Sequence, residues 1–374
     1  MSRYTNIQWA HSTNNPVMGC DGCELYPTTA NLRSKFLEFL SEHNEVPLET
    51  RVALDVAIES GPQAVYSSRE VICQTISSSA LPDAPTEEVT RLAVSMQAFI
   101  EKLYVCYAFK IHRYVNANGK NSGFAFPFEK PKLFPGRMAK AARMRAPSLV
   151  ESEEKPWIAG FRRLVFVSDM GDALSRRVPF EFLKAEIVDN VTSPAGQRHI
   201  WQWLTKRPKR MAEFARWLAV QGIPWPENLV AMTSVTGPKT VFRVRQLLDV
   251  PAIHRGLSVE PLRAKVSFPM DGISWLIVGG ESGANAHPFD LEWAESLLAD
   301  SRRASVPFFM KQLGRRPVNA GEPLLLKDAH GGNWDEWPFD HLKVREFPSS
   351  WRTPTSAVDS IQPSQRSTAG CTNA

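Results

Sequence analysis

Cys20 and Cys23 form a C-x-x-C pair in the run NNPVMGCDGC, and Cys106 follows in VCYA more than eighty residues later. Sulfurs at that spacing commonly hold iron or zinc, and a third cysteine extends the set to an iron–sulfur cluster with one iron left open. Five cysteines, an odd number, argue for a reducing compartment and against a disulfide framework. Cys106 has a competing reading as a buried free thiol, since it falls on the apolar side of a helix expected over 86–114. Cys73, in EVICQT, has no motif and is expected in the core; it is the replacement should Cys106 stand apart from the pair.

The elements that must position these sulfurs fall into two parts. A strand-like start, NIQW, leads into the cysteine loop, and 27–105 then reads as a helical insertion. Leu32, Phe36, Leu37 and Leu40 share one face there, and Leu92, Met96, Phe99 and Leu103 share another. Residues 116–160, rich in Gly, Pro and Lys, read as loop or extended connection. From 161 onward short apolar runs recur at 163–169, 199–206, 228–235, 255–262, 274–282 and 306–312, with helix-like stretches between them. That alternation predicts an α/β fold with a parallel sheet, a complete or partial β/α (TIM-like) barrel over 1–346, with a doubly wound open sheet as the alternative. Residues 347–374, rich in Ser, Thr, Pro and Gln, read as a disordered tail, which makes Cys371 an unsuitable ligand.

Polar residues close each apolar run: Asp169 and Asp172, Thr205-Lys206-Arg207, Thr233-Ser234, Ser258 and Glu260, Glu281 and Ser282, Lys311-Gln312. In a β/α barrel such positions converge on one rim, where active sites sit. Asp169 and Asp172 are the candidates for binding a substrate amine or hydroxyl or for proton transfer, and Lys206, with Arg207 and Lys311, is the candidate for placing positive charge against an anionic substrate. Each has the plainer reading of a rim salt bridge.

Composition narrows the classes. With 43% hydrophobic and 22% charged residues the chain suits an ordinary globular protein, and no apolar run approaches the roughly 18 residues of a membrane span. The start of the chain lacks a signal-peptide core, so a cytoplasmic address is expected. Lys+Arg exceed Asp+Glu by five, for a pI near 8.9, and the excess gathers at 130–147 and 205–210. Such patches suit an anionic partner, nucleic acid above all, or are simply a solvated basic face.

Taken together, NNPVMGC, VCYA, VFVSDMGD, WLTKRPKRM, SVEPL, WLIVGGESG, VPFFMKQ and WDEWP resemble a phage-borne family with a three-cysteine motif, generally treated as radical-SAM-like. The resemblance covers about 6–26 and 104–340. Where the family pattern has GC-x-x-CYA, this chain has Leu103 three residues before Cys106, so Cys23 stands in as the second thiolate. The resemblance implies a 4Fe-4S cluster on Cys20, Cys23 and Cys106, with S-adenosyl-L-methionine bound at the open iron. Electron transfer into the sulfonium then yields a radical that abstracts hydrogen from unreactive carbon. It implies cofactor-binding roles for Thr205, Ser234, Glu260 and Glu281, and an electron donor such as flavodoxin or ferredoxin. It further implies a nucleotide or phage-DNA substrate, such as a hypermodified thymine whose amino-acid adduct is isomerised to evade host restriction, with tRNA or a free nucleotide as the runner-up.

A different class remains open: a nucleic-acid-binding protein with a structural zinc on Cys20, Cys23, Cys106 and His112. A third possibility is an inactive relative that keeps the barrel as a binding scaffold.

Overall fold

The computed structural model describes residues 7–78, 86–118, 124–283 and 285–354. Seven parallel strands form one sheet in sequential order: β1 (Ser12–Asn14), β2 (Leu164–Val167), β3 (Ile200–Thr205), β4 (Leu229–Ser234), β5 (Arg255–Val259), β6 (Trp275–Gly279) and β7 (Phe308–Gln312). Sequential order with every pair parallel curls the sheet into a half-barrel, and β7 does not pair with β1. The β/α expectation therefore holds at the level of a curled parallel sheet, not a closed barrel.

These runs lack strand-like alternation because both faces are buried. Val165, Val167, Trp201, Trp203, Leu257, Val259, Leu276 and Val278 join the core beneath the outer helices. Leu164, Phe166, Ile200, Val230, Met232, Trp275, Ile277 and Phe309 face the concave side, where Trp9, Phe347 and Trp351 fill the space between them. Residues on the far side of β7 cover its open edge. Met310 N–H donates to the Val344 carbonyl at 2.8 Å, and Glu346 N–H to that of Phe308 at 2.9 Å.

Between β1 and β2 the chain leaves the sheet for a helical unit: α1 (Thr29–Glu42), α2 (Leu48–Ser60), α3 (Pro62–Ser67), α4 (Arg69–Ser78), α5 (Thr86–Leu103) and α6 (Tyr107–Ala117). Its core, with Phe36, Leu54, Ile72, Met96 and Phe109, also takes in Cys20, Tyr26 and Phe128. The unit is thus packed directly against the cysteine loop.

Four expectations need correction. The strand expected at NIQW lies later, at Ser12–Asn14, because Trp9 is drawn into the concave plug. The helix expected over 86–114 breaks after Leu103, and α5 and α6 meet at a bend of 108°. The connection 116–160 contains α7 (Arg137–Ala142) and a short helix at Leu149–Glu154. The Glu186 carboxylate caps α7 from afar, accepting the N–H groups of Gly136 and Met138, whereas Ser148 and Glu151 form a local capping box at the second. Finally, the expected tail at 347–374 begins too early: Phe347 and Trp351 are buried in the concave core. Residues 355–374, with Cys371, lie outside the described residues. Among those described, no single helix is long and apolar enough to cross a membrane.

Candidate metal centre at the sheet rim

The loop after β1 is stitched backbone to backbone onto the chain leaving β2. Gly19 N–H donates to the Met170 carbonyl and Asp172 N–H to the Gly19 carbonyl, both at 3.2 Å, while Cys20 N–H reaches Phe128 O at 2.9 Å. The approach is so close that a Cβ on Gly171 would sit 2.5 Å from the Gly19 carbonyl oxygen. Only glycine lets the two segments touch there.

The bend between α5 and α6 then returns Cys106 to this loop. Val105 and Cys106 both donate their N–H groups to the Leu25 carbonyl, at 3.1 and 2.9 Å. Cys106 is the residue immediately before α6, not part of a continuous apolar helix face. The three thiols are electrostatically linked in a ring: Cys23 acts on Cys20, Cys106 on Cys23 and Cys20 on Cys106. Burial pushes Cys20 up to about 12 and Cys23 up to about 11, and raises Cys106 as well. Metal binding here must therefore release protons.

Donors already point at the sulfurs. Leu25 N–H faces Cys23 Sγ at 3.4 Å, and Arg207 Nη1 faces Cys20 Sγ at 3.5 Å. Backbone groups of Gly22 serve Cys20, and those of Ala108 and Phe109, in the first turn of α6, serve Cys106. Hydrogen bonds to thiolate are characteristic of sites that hold iron–sulfur clusters, so this donor set fits such a cluster. Among the described residues, no three His, Cys, Asp or Glu side chains are grouped so as to hold a single metal ion. His112 does not extend the set: its Nδ1 faces Ala125 O at 3.2 Å and its Nε2 faces Met170 O at 2.9 Å. Cys73 is buried in the helical core, where its charged neighbours are Arg69, Glu101 and Glu70, not the other cysteines.

The rim residues are brought together as the strand ends require, but most are engaged with one another. Asp172 is a keystone. Its carboxylate accepts from Thr205 Oγ1 at 2.9 Å, Leu174 N–H at 2.9 Å, Lys206 N–H at 3.1 Å and Arg207 Nη1 at 3.2 Å. Thr205 is thus engaged by Asp172 and also accepts Arg207 N–H at 2.9 Å. Asp169 accepts from Asn15 Nδ2, and burial raises its carboxyl above the usual range. Glu260 pairs with Lys311. Glu281 takes Arg263 at 2.9 Å and His287 at 2.8 Å; burial works against its charge, yet these partners hold it below the usual range. Ser234 accepts from Lys206 Nζ at 3.2 Å.

Sequence reasoning missed the charges flanking the cysteines. Asp21 pairs with Arg207, whose Nη2 also reaches Gly22 O at 2.6 Å. Glu24 is gripped by both nitrogens of Arg243, at 2.9 and 2.5 Å, and by Thr236 Oγ1 at 3.2 Å. Burial opposes the Glu24 charge, but Arg243 and Lys206 hold the carboxyl down at about 2. Acidic residues at both ends of the second half of CDGCE were the available signal. Arg243, more than two hundred residues away, carried none.

Residues 101–343 match the family described as protein of unknown function (DUF5131). The chain belongs to that family. The matched span holds Cys106 and strands β2 to β7, while Cys20 and Cys23 lie before it. No curated protein and no solved structure matches the chain.

Proposed function

We propose that this chain is a radical SAM enzyme of phage origin, holding a 4Fe-4S cluster on Cys20, Cys23 and Cys106. The observation that carries the reading is the return of Cys106, more than eighty residues along the chain, to the Cys20–Cys23 loop, where its N–H meets the Leu25 carbonyl and Leu25 N–H faces Cys23 Sγ, at the C-terminal rim of a parallel half-barrel. When bound, the cluster supplies a one-electron reduction of the S-adenosyl-L-methionine sulfonium.

The chain's own residues hold and shield that chemistry. Cys20, Cys23 and Cys106 would hold the cluster as thiolates, and Leu25 N–H and Arg207 fix two of the sulfurs in orientation. The Trp9, Trp275, Phe347 and Trp351 plug closes the sheet's concave side beneath the rim and keeps water from entering that way. Ser234 and Glu260, at the ends of β4 and β5, are the groups for the ribose hydroxyls or ammonium of SAM. Asp169 is the group for proton transfer. Thr205 and Asp172 are already engaged with each other and with Arg207, so in this reading they position the cysteine loop. The substrate we favour is a nucleotide or a hypermodified thymine in phage DNA, recognised by the basic stretches at 130–147 and 205–210.

Anaerobic purification with iron and sulfide analysis tests the cluster. The wild-type protein is expected brown, with iron lost in Cys20→Ala, Cys23→Ala and Cys106→Ala but retained in Cys73→Ala. Colourless protein holding one zinc would sink the reading. Release of 5′-deoxyadenosine under reduction tests SAM cleavage. Nucleoside analysis of phage DNA with and without the gene tests the substrate.

A further inference from the structure

We propose that a single strand of DNA lies across the rim between α6 and residues 132–137, an inference that rests on the DNA-substrate reading above. Of the two basic stretches, only part is available there. Arg207 is engaged by Asp21 and Asp172, while Arg210 donates to Val178 O at 2.8 Å and lies over the Phe180 ring. Arg143 and Arg145 line a cavity beside Arg163, which precedes β2, at the opposite end of the sheet.

Two surface strips meet at Asp169. Tyr107 directly follows Cys106, is 55% exposed, and donates its hydroxyl to the Asp169 carbonyl. Lys110 and Tyr114, both exposed, continue the same face of α6 at helical spacing. On the other side the Asp169 carboxylate accepts from Asn15 Nδ2, and the Asn15 carbonyl accepts from Arg137 Nη1 at 2.9 Å. Arg137 lies over the Phe134 ring, 3.6 Å from its centroid, and Lys132 Nζ stands 5.5 Å from the same ring. Antiparallel pairing of Lys132–Leu133 with Val17–Met18 fixes this second strip beside the cysteine loop.

The chemistry of the surface selects the partner. α6 has no Asp or Glu, and 124–147 has one, Glu129, which accepts the Tyr26 hydroxyl at 2.7 Å. Lys132 and Arg137 rest on an aromatic ring and a carbonyl rather than on a carboxylate, so their charge is free to meet phosphates. Exposed rings such as Tyr107 and Tyr114 stack on unpaired bases. Bases inside a duplex cover one another and offer these rings no face. A base stacked at Tyr107 comes beside both Asp169 and Cys106, the groups already assigned to the reaction.

The test is fluorescence anisotropy of a labelled oligothymidylate of about 12 nucleotides with the full-length, anaerobically purified protein, its iron measured in parallel. The wild type is expected to bind it at least about tenfold more tightly than its duplex with oligodeoxyadenylate. Tyr107→Leu and Tyr114→Ala should each weaken binding about tenfold. Lys132→Gln should lower the slope of log affinity against log salt by about 0.7. Arg198→Gln, which removes an exposed charge just before β3 at the opposite end of the sheet, should match the wild type. Tyr114 is 66% exposed, so its variant keeps the proposal testable if Tyr107→Leu fails to fold. Equal affinity for the duplex, undiminished binding in both tyrosine variants, or ready displacement by polyglutamate overturns the proposal. Tighter binding of oligouridylate overturns the choice of DNA over RNA. Protein that binds the DNA strand as expected but holds no iron overturns the cluster reading instead.

Discussion

Replacing Asp172 by Asn separates its two readings, catalytic acid or structural keystone. The side chain is nearly isosteric, so packing is preserved, but one acceptor oxygen becomes a donor NH2. If that group replaces Oδ2, it faces Lys206 N–H and Arg207 Nη1; if it replaces Oδ1, it faces Leu174 N–H. Neither orientation serves every fixed donor, and the Thr205 hydroxyl is the only partner able to rotate and accept. A buried donor left without an acceptor costs about 1–3 kcal/mol. Arg207 also loses one of its two carboxylates, and breaking a buried pair from one side costs about 3–5 kcal/mol. Arg207 keeps Asp21, so the expected loss for Asp172→Asn is about 3 kcal/mol, at the lower end of that range. Thr205→Val removes one donor to Asp172 and the acceptor for Arg207 N–H, for about 1–2 kcal/mol. The double variant should lose less than the sum, since both act in one network. Urea unfolding of the three variants beside the wild type, under anaerobic conditions, reads these values. Wild-type stability in Asp172→Asn would refute the reasoning; if turnover vanished as well, the carboxylate would be an acid or base of the reaction.

Three further outcomes are expected. His11 is held at about 3 and His199 at about 4, in each case mainly by burial, and His11 Nδ1 must stay unprotonated to accept Leu164 N–H at 2.9 Å. Both lie below the unfolded value of 6.5, so their stability is fully present above that pH and is lost as pH falls toward 4 and then 3. Unfolding at pH 5.5 should show roughly 3 kcal/mol less stability than at pH 7.5 from the pair, with the drop about halved in His199→Gln. Glu24→Gln breaks the two-pronged contact with Arg243 and should cost about 2 kcal/mol near neutral pH. It should also remove the acid sensitivity that Glu24 contributes as pH falls from 4.5 through about 2, which a comparison of acid unfolding curves reads. Trp351→Ala should cost about 3–5 kcal/mol in thermal or chemical unfolding, because Trp351 is fully buried with Trp275 at 5.1 Å.

What was legible in the sequence is what depends on near neighbours. VFV, LIVG and the other apolar runs announced doubly buried strands because a parallel sheet covered on both faces needs continuous apolar stretches, and Asp172, Lys206, Ser234 and Glu260 marked the rim because they end those runs. Ser148 and Glu151 carried a local capping box that composition in the surrounding loop masked. Tertiary structure decided the rest. Whether the sheet closes depends on hydrogen bonds between its first and last strands, which no periodicity encodes, and here residues 344–346 cover the edge of β7 instead. Phe347 and Trp351 looked like part of a polar tail until a concave cavity needed filling. Cys106 was a helix-face cysteine by spacing alone; the bend at Tyr104–Cys106 and its bonds to Leu25 O make it a member of the thiol set. Glu24 found Arg243 only because the strand ends bring distant residues to one rim. Residue types supplied the possible ligands, and the folded backbone determined which of them meet.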